Sequence, residues 1–228
     1  MLRVFLVVVA AIGLAACVTT SDATITELNR PNGAARIVLL PPDVQLFELS
    51  AGGISEPKED WSASAREHMT AALRQVERER NLRLINREDD QSTEEQVQVA
   101  RLFRATASTI AQHHYVPAEQ LPTKQGRIRW SIGSEAGLLR REETADYALM
   151  ILLQDSFASA GRAAVIFLSA VLFGVQVEGG VQMGVAALVD LKTGEIVWYN
   201  RLARSAGDSR TAEGALETVR VLLTGLPQ

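Results

Sequence analysis

The side chains that could do chemistry are few: one thiol, Cys17, three imidazoles, His68, His113 and His114, and loop carboxylates such as Asp43 and Glu48. Cys17 stands where a nucleophile has a use. It follows Leu14-Ala15-Ala16 and closes an N-terminus made of one positive charge, Arg3, and the apolar stretch Val4 to Ile12. A basic start, an apolar middle and small residues before a cut are the layout of a bacterial secretory signal peptide. The apolar run is too short to span a bilayer, which needs about 20 apolar residues. A single cysteine in a secreted chain has no internal disulfide partner, so another use is expected for it.

The run Leu14-Ala15-Ala16-Cys17 resembles the lipobox of bacterial lipoproteins and matches it at every position. The resemblance implies that the Cys17 thiol takes a diacylglycerol and that the signal is cut between Ala16 and Cys17. The freed α-amine is then acylated, for example with palmitate. Val18 stands where an aspartate would imply inner-membrane retention in enteric bacteria. The implied destination is the outer membrane, periplasmic face. Membrane binding would come from the lipid, each buried methylene contributing about 0.8 kcal/mol.

The other candidates are weaker on their own residues. Adjacent His113 and His114 diverge by about 100° on a helix and do not share a face as a zinc pair would. With His68 they make no ligand pattern, so no metal is expected. Gly179-Gly180-Val181-Gln182-Met183-Gly184 lacks the lysine and hydroxyl of a phosphate loop and leads into a strand, so these glycines are expected to turn the chain. Asp43 and Glu48 could form an acid–base pair only if the fold brought them together. No Gly-x-Ser-x-Gly elbow is present. No cofactor is expected, and the chain reads as non-enzymatic.

Composition sets the frame for these residues. Hydrophobic content of 47% and charged content of 22% are globular values. Removing residues 1–16 takes Arg3 from the 23 basic side chains and nothing from the 27 acidic ones. The mild acidity that remains argues against nucleic acid as a partner, since phosphates would want a basic face. Without a second cysteine, the fold must rest on packing in an oxidising compartment.

The expected organisation is a signal peptide over 1–16, the lipidated cysteine and a flexible tether over 17–34, and a single periplasmic α/β domain over 35–228. The tether reading rests on polar, turn-rich residues, whose coil would reach on the order of 20–25 Å. In the domain, Ile37 to Leu40 suits a strand stopped by Pro41-Pro42, followed by a loop through Gly52, Gly53 and Pro57. A helix from Asp60 presents Trp61, Ala65, Met69, Ala72, Leu73 and Val76 on one face. A short strand is expected at Leu82 to Ile85. Capping boxes Ser92/Glu95 and Thr93/Gln96 open a second helix, which buries Val99, Leu102, Phe103, Thr106 and Ile110 and fades near His113-His114. Arg127 to Ile132 alternates as a half-buried strand. A short helix over 135–143, a strand over 145–154, a hairpin of strands over 182–191 and 195–203, and a final helix carrying Leu216, Val219, Leu222 and Leu223 complete the order. This predicts an α/β fold, with helices packed on a mixed sheet and a C-terminal β-hairpin before the last helix. The apolar block 163–175 is read first as a core element. Its functional reading is a segment that packs on a partner or enters the membrane.

Asp190-Leu191-Lys192-Thr193-Gly194-Glu195-Ile196-Val197-Trp198 resembles a strand-turn-strand of the curli-secretion (CsgG-like) lipoprotein group, to which lipoproteins that activate penicillin-binding proteins are similar. Ala145 to Leu149 and Ile37 to Leu40 resemble strands of the same group. The resemblance implies a non-enzymatic, lipid-anchored periplasmic module that binds or assembles with an envelope protein and could self-associate. The alternative it implies is an oligomeric pore or secretion-channel subunit of the outer membrane.

Overall fold

The computed structural model describes residues 17–25, 27–28, 35–80, 82, 84–86, 93–143, 145–175, 177, 179–205 and 207–227. The expected signal peptide over 1–16, with the cleavage residue Ala16, and the expected Ser92 cap lie outside them. The described residues form an eight-stranded mixed sheet with five helices. In chain order they are β1 (Cys17–Ala23), β2 (Ile37–Leu39), β3 (Asp43–Leu49), β4 (Ser55–Pro57), α1 (Glu59–Arg80), β5 (Leu84–Asn86) and α2 (Glu94–His113). Then come α3 (Ala136–Glu143), β6 (Tyr147–Ala158), α4 (Ala160–Phe173), β7 (Gln182–Asp190), β8 (Ile196–Arg204) and α5 (Ala212–Leu222).

The sheet runs β1-β8-β7-β6-β2-β5, and β3, with β4 on its far side, also pairs with β6. The twelve-residue β6 is the spine. Its first half pairs in parallel with β2 and its second half in parallel with β3. Pro41 and Pro42 have no N–H to give to the ladder. Three residues, Leu40 to Pro42, therefore oppose two on β6 before the pairing resumes at Asp43 with Leu152. The prolines interrupt the strand rather than stop it, and β3 stands where the sequence suggested a loop.

Both sheet faces are covered. α1 and α5 pack on one face with Leu46, Leu149, Leu153 and Trp198, while α2 and α3 cover Val38, Ala148, Met150 and Tyr199 on the other. α1 begins with Glu59 and Asp60 and ends with Arg78 and Arg80, charges that suit the helix dipole. It buries Ala65, Met69, Ala72, Leu73 and Val76, the stripe its periodicity predicts. In α2 the Thr93/Gln96 capping box is formed, and Val99, Phe103, Ala107 and Ile110 are buried. Leu102 of that helix is exposed instead, because the buried stripe is narrower than the apolar pattern. Residues 127–132 keep their alternation, with Ile128 and Ile132 buried, but make only a bridge from Ser131 to Glu195.

The β7–β8 hairpin forms as expected. Asp190 Oδ1 accepts from the N–H groups of Lys192 (2.7 Å) and Thr193 (3.2 Å), and Gly194 takes φ +73°. Trp198 is fully buried, with its indole N–H donating to Ser21 Oγ at 3.1 Å.

Two further expectations change. Residues 17–23 are not a coil: β1 pairs antiparallel with β8 from Cys17↔Arg204 to Ala23↔Trp198. The open edge of β8 supplies ladder partners that a reading of local composition does not see. The second change concerns 163–175. No residue of α4 is buried, so the block is not core.

Candidate functional site

The strand directions bring several features to one end of the sheet. β1 starts at Cys17 beside the last residue of β8, Arg204. Arg204 pairs with Gln182 at the start of β7, and Gln182 pairs with Asp155 near the end of β6. Three residues further on, β6 ends at Ala158 and α4 begins. The β3–β4 turn lies at the same end, since β3 runs parallel to β6. Neighbouring strands are about 4.8 Å apart, so the Cys17 backbone lies about 14 Å across the sheet from β6.

α4 opens on Ser159, whose hydroxyl accepts from the Arg162 N–H at 3.1 Å, and closes on Gly174 at φ +66°. One side faces the protein: a side chain at Gly179 would meet Ile166, and one at Gly53 would meet Arg162. The other side carries Phe167 (66% exposed), Leu168, Val171 and Leu172 (65%), and the exposed apolar surface continues around the last turn at Phe173 (75%) and past the helix at Val175. Ile54, 69% exposed, sits on the adjoining β3–β4 turn. No charged residue occurs from Ala163 to Val175. Among the described residues no helix is long and apolar enough to cross a membrane.

Beneath this end lies a buried polar network. Gln182 Nε2 donates to Asp155 Oδ2 and Ser209 Oγ, each at 2.7 Å, and the Ser209 hydroxyl donates to the same carboxylate at 2.9 Å. Arg204 donates from Nε to Gln182 Oε1 at 2.7 Å and from Nη1 to Glu217 at 2.5 Å. Burial pushes the Asp155 carboxyl above its ordinary range, against the pull of the bonds from Gln182 and Ser209. Ser209 meets a carboxylate but no imidazole, and it is fully buried. The network has the character of a fastening for the ends of β6, β7 and β8 to α5, not of a nucleophile with its base.

The remaining sequence candidates are dispersed. Asp43 pairs with Arg104 of α2, whereas Glu48 pairs with Lys58 at 2.7 Å. Five residues apart on one strand, the two carboxylates point to opposite faces and form no acid–base pair. His113 Nδ1 bonds the Glu119 carbonyl at 2.8 Å, and His114 Nε2 lies 3.8 Å from Asp22 of β1. Tyr115 donates to the same Asp22 at 3.0 Å, and burial pushes its phenol up to about 12. His68 is half-buried on α1, away from both. Among the described residues no group of three or more His, Cys, Asp or Glu could hold a metal. Gly180, at φ +155°, passes so close to the Ser156 carbonyl that a Cβ would lie 2.0 Å from its oxygen; the glycines turn the chain into β7.

A groove of about 450 Å³ opens between α2 and the sheet, lined by Gln45, Arg104, Gln154, Met183 and Arg201 among others. Its charges are partnered: Arg104 with Asp43, and Arg201 over the Tyr115 ring at 4.8 Å. Sequence reasoning missed this groove, since it depends on how far α2 covers the sheet.

No protein-family model matches the chain, and no curated protein is a significant match. Among solved structures it is similar to a PelC dodecamer from Paraburkholderia phytofirmans at 12% identity, over 92% of this chain and 99% of that one, with a TM-score of 0.41. It is also similar to lipoprotein GNA1162 from Neisseria meningitidis at 14% identity, over 82% of this chain and 95% of that one, with a TM-score of 0.32. A third likeness is to the C-terminal domain of LpoB from Salmonella enterica, at 14% identity over 80% and 86%, with a TM-score of 0.29. At these identities and scores the functional reading rests on the residues themselves.

Proposed function

We propose that the chain is a lipid-anchored, non-enzymatic binding and assembly module of the bacterial cell envelope, held through Cys17 on the periplasmic face of the outer membrane. The supporting observation is the place of Cys17, which is at once the lipobox cysteine and the first residue of edge strand β1. A lipid there is joined to the sheet without intervening chain, so the domain is held against the bilayer rather than floated above it. Its faces are then available to an envelope protein, and the groove beside α2 is a surface of suitable size for a peptide segment. Cys17→Ser should leave an uncleaved precursor that takes up no labelled palmitate. A variant still cut after Ala16 and acylated would overturn the reading.

A second reading, an oligomeric pore or secretion-channel subunit, is favoured by the exposed apolar surface of α4. Mass measurement of the detergent-solubilised protein separates the two. A closed ring of many copies supports the channel, and one or two copies support the binding module.

A further inference from the structure

The exposed face of α4 calls for a cover. Phe167, Leu168, Val171, Leu172, Phe173 and Val175 are all exposed within nine consecutive residues, and Ile54 extends the surface from the neighbouring turn. Soluble monomers rarely leave so continuous an apolar surface in water. The fold offers a reason for its position. α4 follows directly on the end of β6, the end of the sheet at which β1 begins with Cys17.

We propose that α4 is a second, non-covalent membrane contact, its apolar face lying among the acyl chains of the leaflet that holds the Cys17 lipid. This rests on the lipid-anchor reading above. The Cys17 lipid chains must lie in the bilayer, and β1 leaves no tether between them and the sheet. The sheet end carrying α4 therefore faces the bilayer at a lateral distance of about 14 Å from the anchor. A helix of 14 residues is about 21 Å long, short of the roughly 30 Å hydrocarbon core, so it lies in the surface layer instead of crossing. Its chemistry fits: no charge from Ala163 to Val175, and the polar Ser169 only half-exposed. Burial by an interfacial helix scales with apolar area, and two attachments hold a protein far more firmly than one.

The test uses the full chain, purified as the lipidated protein, in vesicles of phosphatidylethanolamine and phosphatidylglycerol. Lipidation consumes the Cys17 thiol, so Leu172→Cys carries a single free thiol for an environment-sensitive NBD label. Val97→Cys, exposed on α2, serves as the control position. The expected result is a blue shift at 172 and loss of its emission when the vesicles contain doxyl-labelled lipid, with neither change at 97. An aqueous spectrum at both positions in protein that floats with the vesicles overturns the proposal and leaves the anchor intact. A blue shift at 172 insensitive to doxyl lipid, accompanied by doubled mass, overturns it in favour of a second copy on α4. A second labelled thiol, at Cys17, would show instead that the anchor reading had failed.

Discussion

Leu222 and Gly184 give the most direct test of how α5 is docked. Leu222 is fully buried, and the Cβ that Gly184 lacks would lie 3.0 Å from Leu222 Cδ2 and 3.2 Å from Leu153 Cδ1. The leucine is thus seated on the bare backbone of β7, at a spot where only glycine leaves room. Leu222→Ala should cost about 2–5 kcal/mol, from lost burial and the cavity left behind. With a urea m-value on the order of 2 kcal/mol per molar, the midpoint falls by about 1–2.5 M. Gly184→Ala should cost about 1–3 kcal/mol by overpacking, since both contacts are shorter than ordinary van der Waals distance.

The informative quantity is the double variant. Truncating Leu222 removes the closest clash and opens space that the new methyl at 184 can fill. Gly184→Ala/Leu222→Ala should therefore be more stable than the sum of the single effects by about 1–2 kcal/mol. Urea unfolding followed by circular dichroism, with m-values compared across the cycle, measures this. Strict additivity would refute the packing argument, because it would mean that the two groups do not touch.

Gly194→Ala should destabilise by at least about 1 kcal/mol from its left-handed φ alone, and by more because the new Cβ would lie 2.0 Å from the Gly133 carbonyl oxygen; an unchanged melting temperature would contradict the turn. Asp155 has its carboxyl raised above the ordinary 3.8 by burial, so the unfolded chain ionises first as pH rises. Stability should then be full below about pH 4 and fall through the raised folded value, and Asp155→Asn should flatten that slope in urea titrations run from acid to neutral pH. Leu172→Glu, on the exposed face of α4, should leave the circular dichroism spectrum intact and shift stability by no more than about 0.5 kcal/mol; loss of folding would restore the core reading of 163–175.

The elements legible in the sequence are those whose signals are local. α1, α2 and α5 declare themselves through stripes at spacings of three and four, and the Thr93/Gln96 box fixes the start of α2. The β7–β8 hairpin is legible because Asp190, Thr193 and Gly194 each do a job that few other residues can do in a tight turn. β3 is harder. Its buried Val44 and Leu46 alternate with half-buried polar residues, but they follow two prolines that read as an end. Only β6, more than a hundred residues away, shows that the strand resumes. Glu48 and Asp43, readable as an acid pair, are separated by the pleat of that same strand. For α4 the composition is plain, but exposure is not a local property. An apolar helix of this length is buried or bare according to what the end of the sheet places beside it.

β1 combines two roles that the composition of 17–23 does not reveal. Without it, β8 would present an unpaired edge, the feature that invites pairing with another chain. With it, the covering strand begins at the residue proposed to carry the lipid, so on that proposal the sheet edge is closed by the segment next to the anchor. Trp198 ties the two together, because its indole N–H reaches Ser21 in the middle of β1. Asp22, the next residue, faces the opposite side and accepts from Tyr115 beyond the end of α2. Pulling β1 away would break both contacts and strand the indole N–H in the core. The strand thus resists peeling through its side chains as well as its ladder. On the proposed lipidation, a pull at Cys17 reaches β8 and, through Arg204 and Gln182, Asp155 near the end of β6. On the same proposal, the orientation of α4 relative to the bilayer is set by the sheet rather than by a linker.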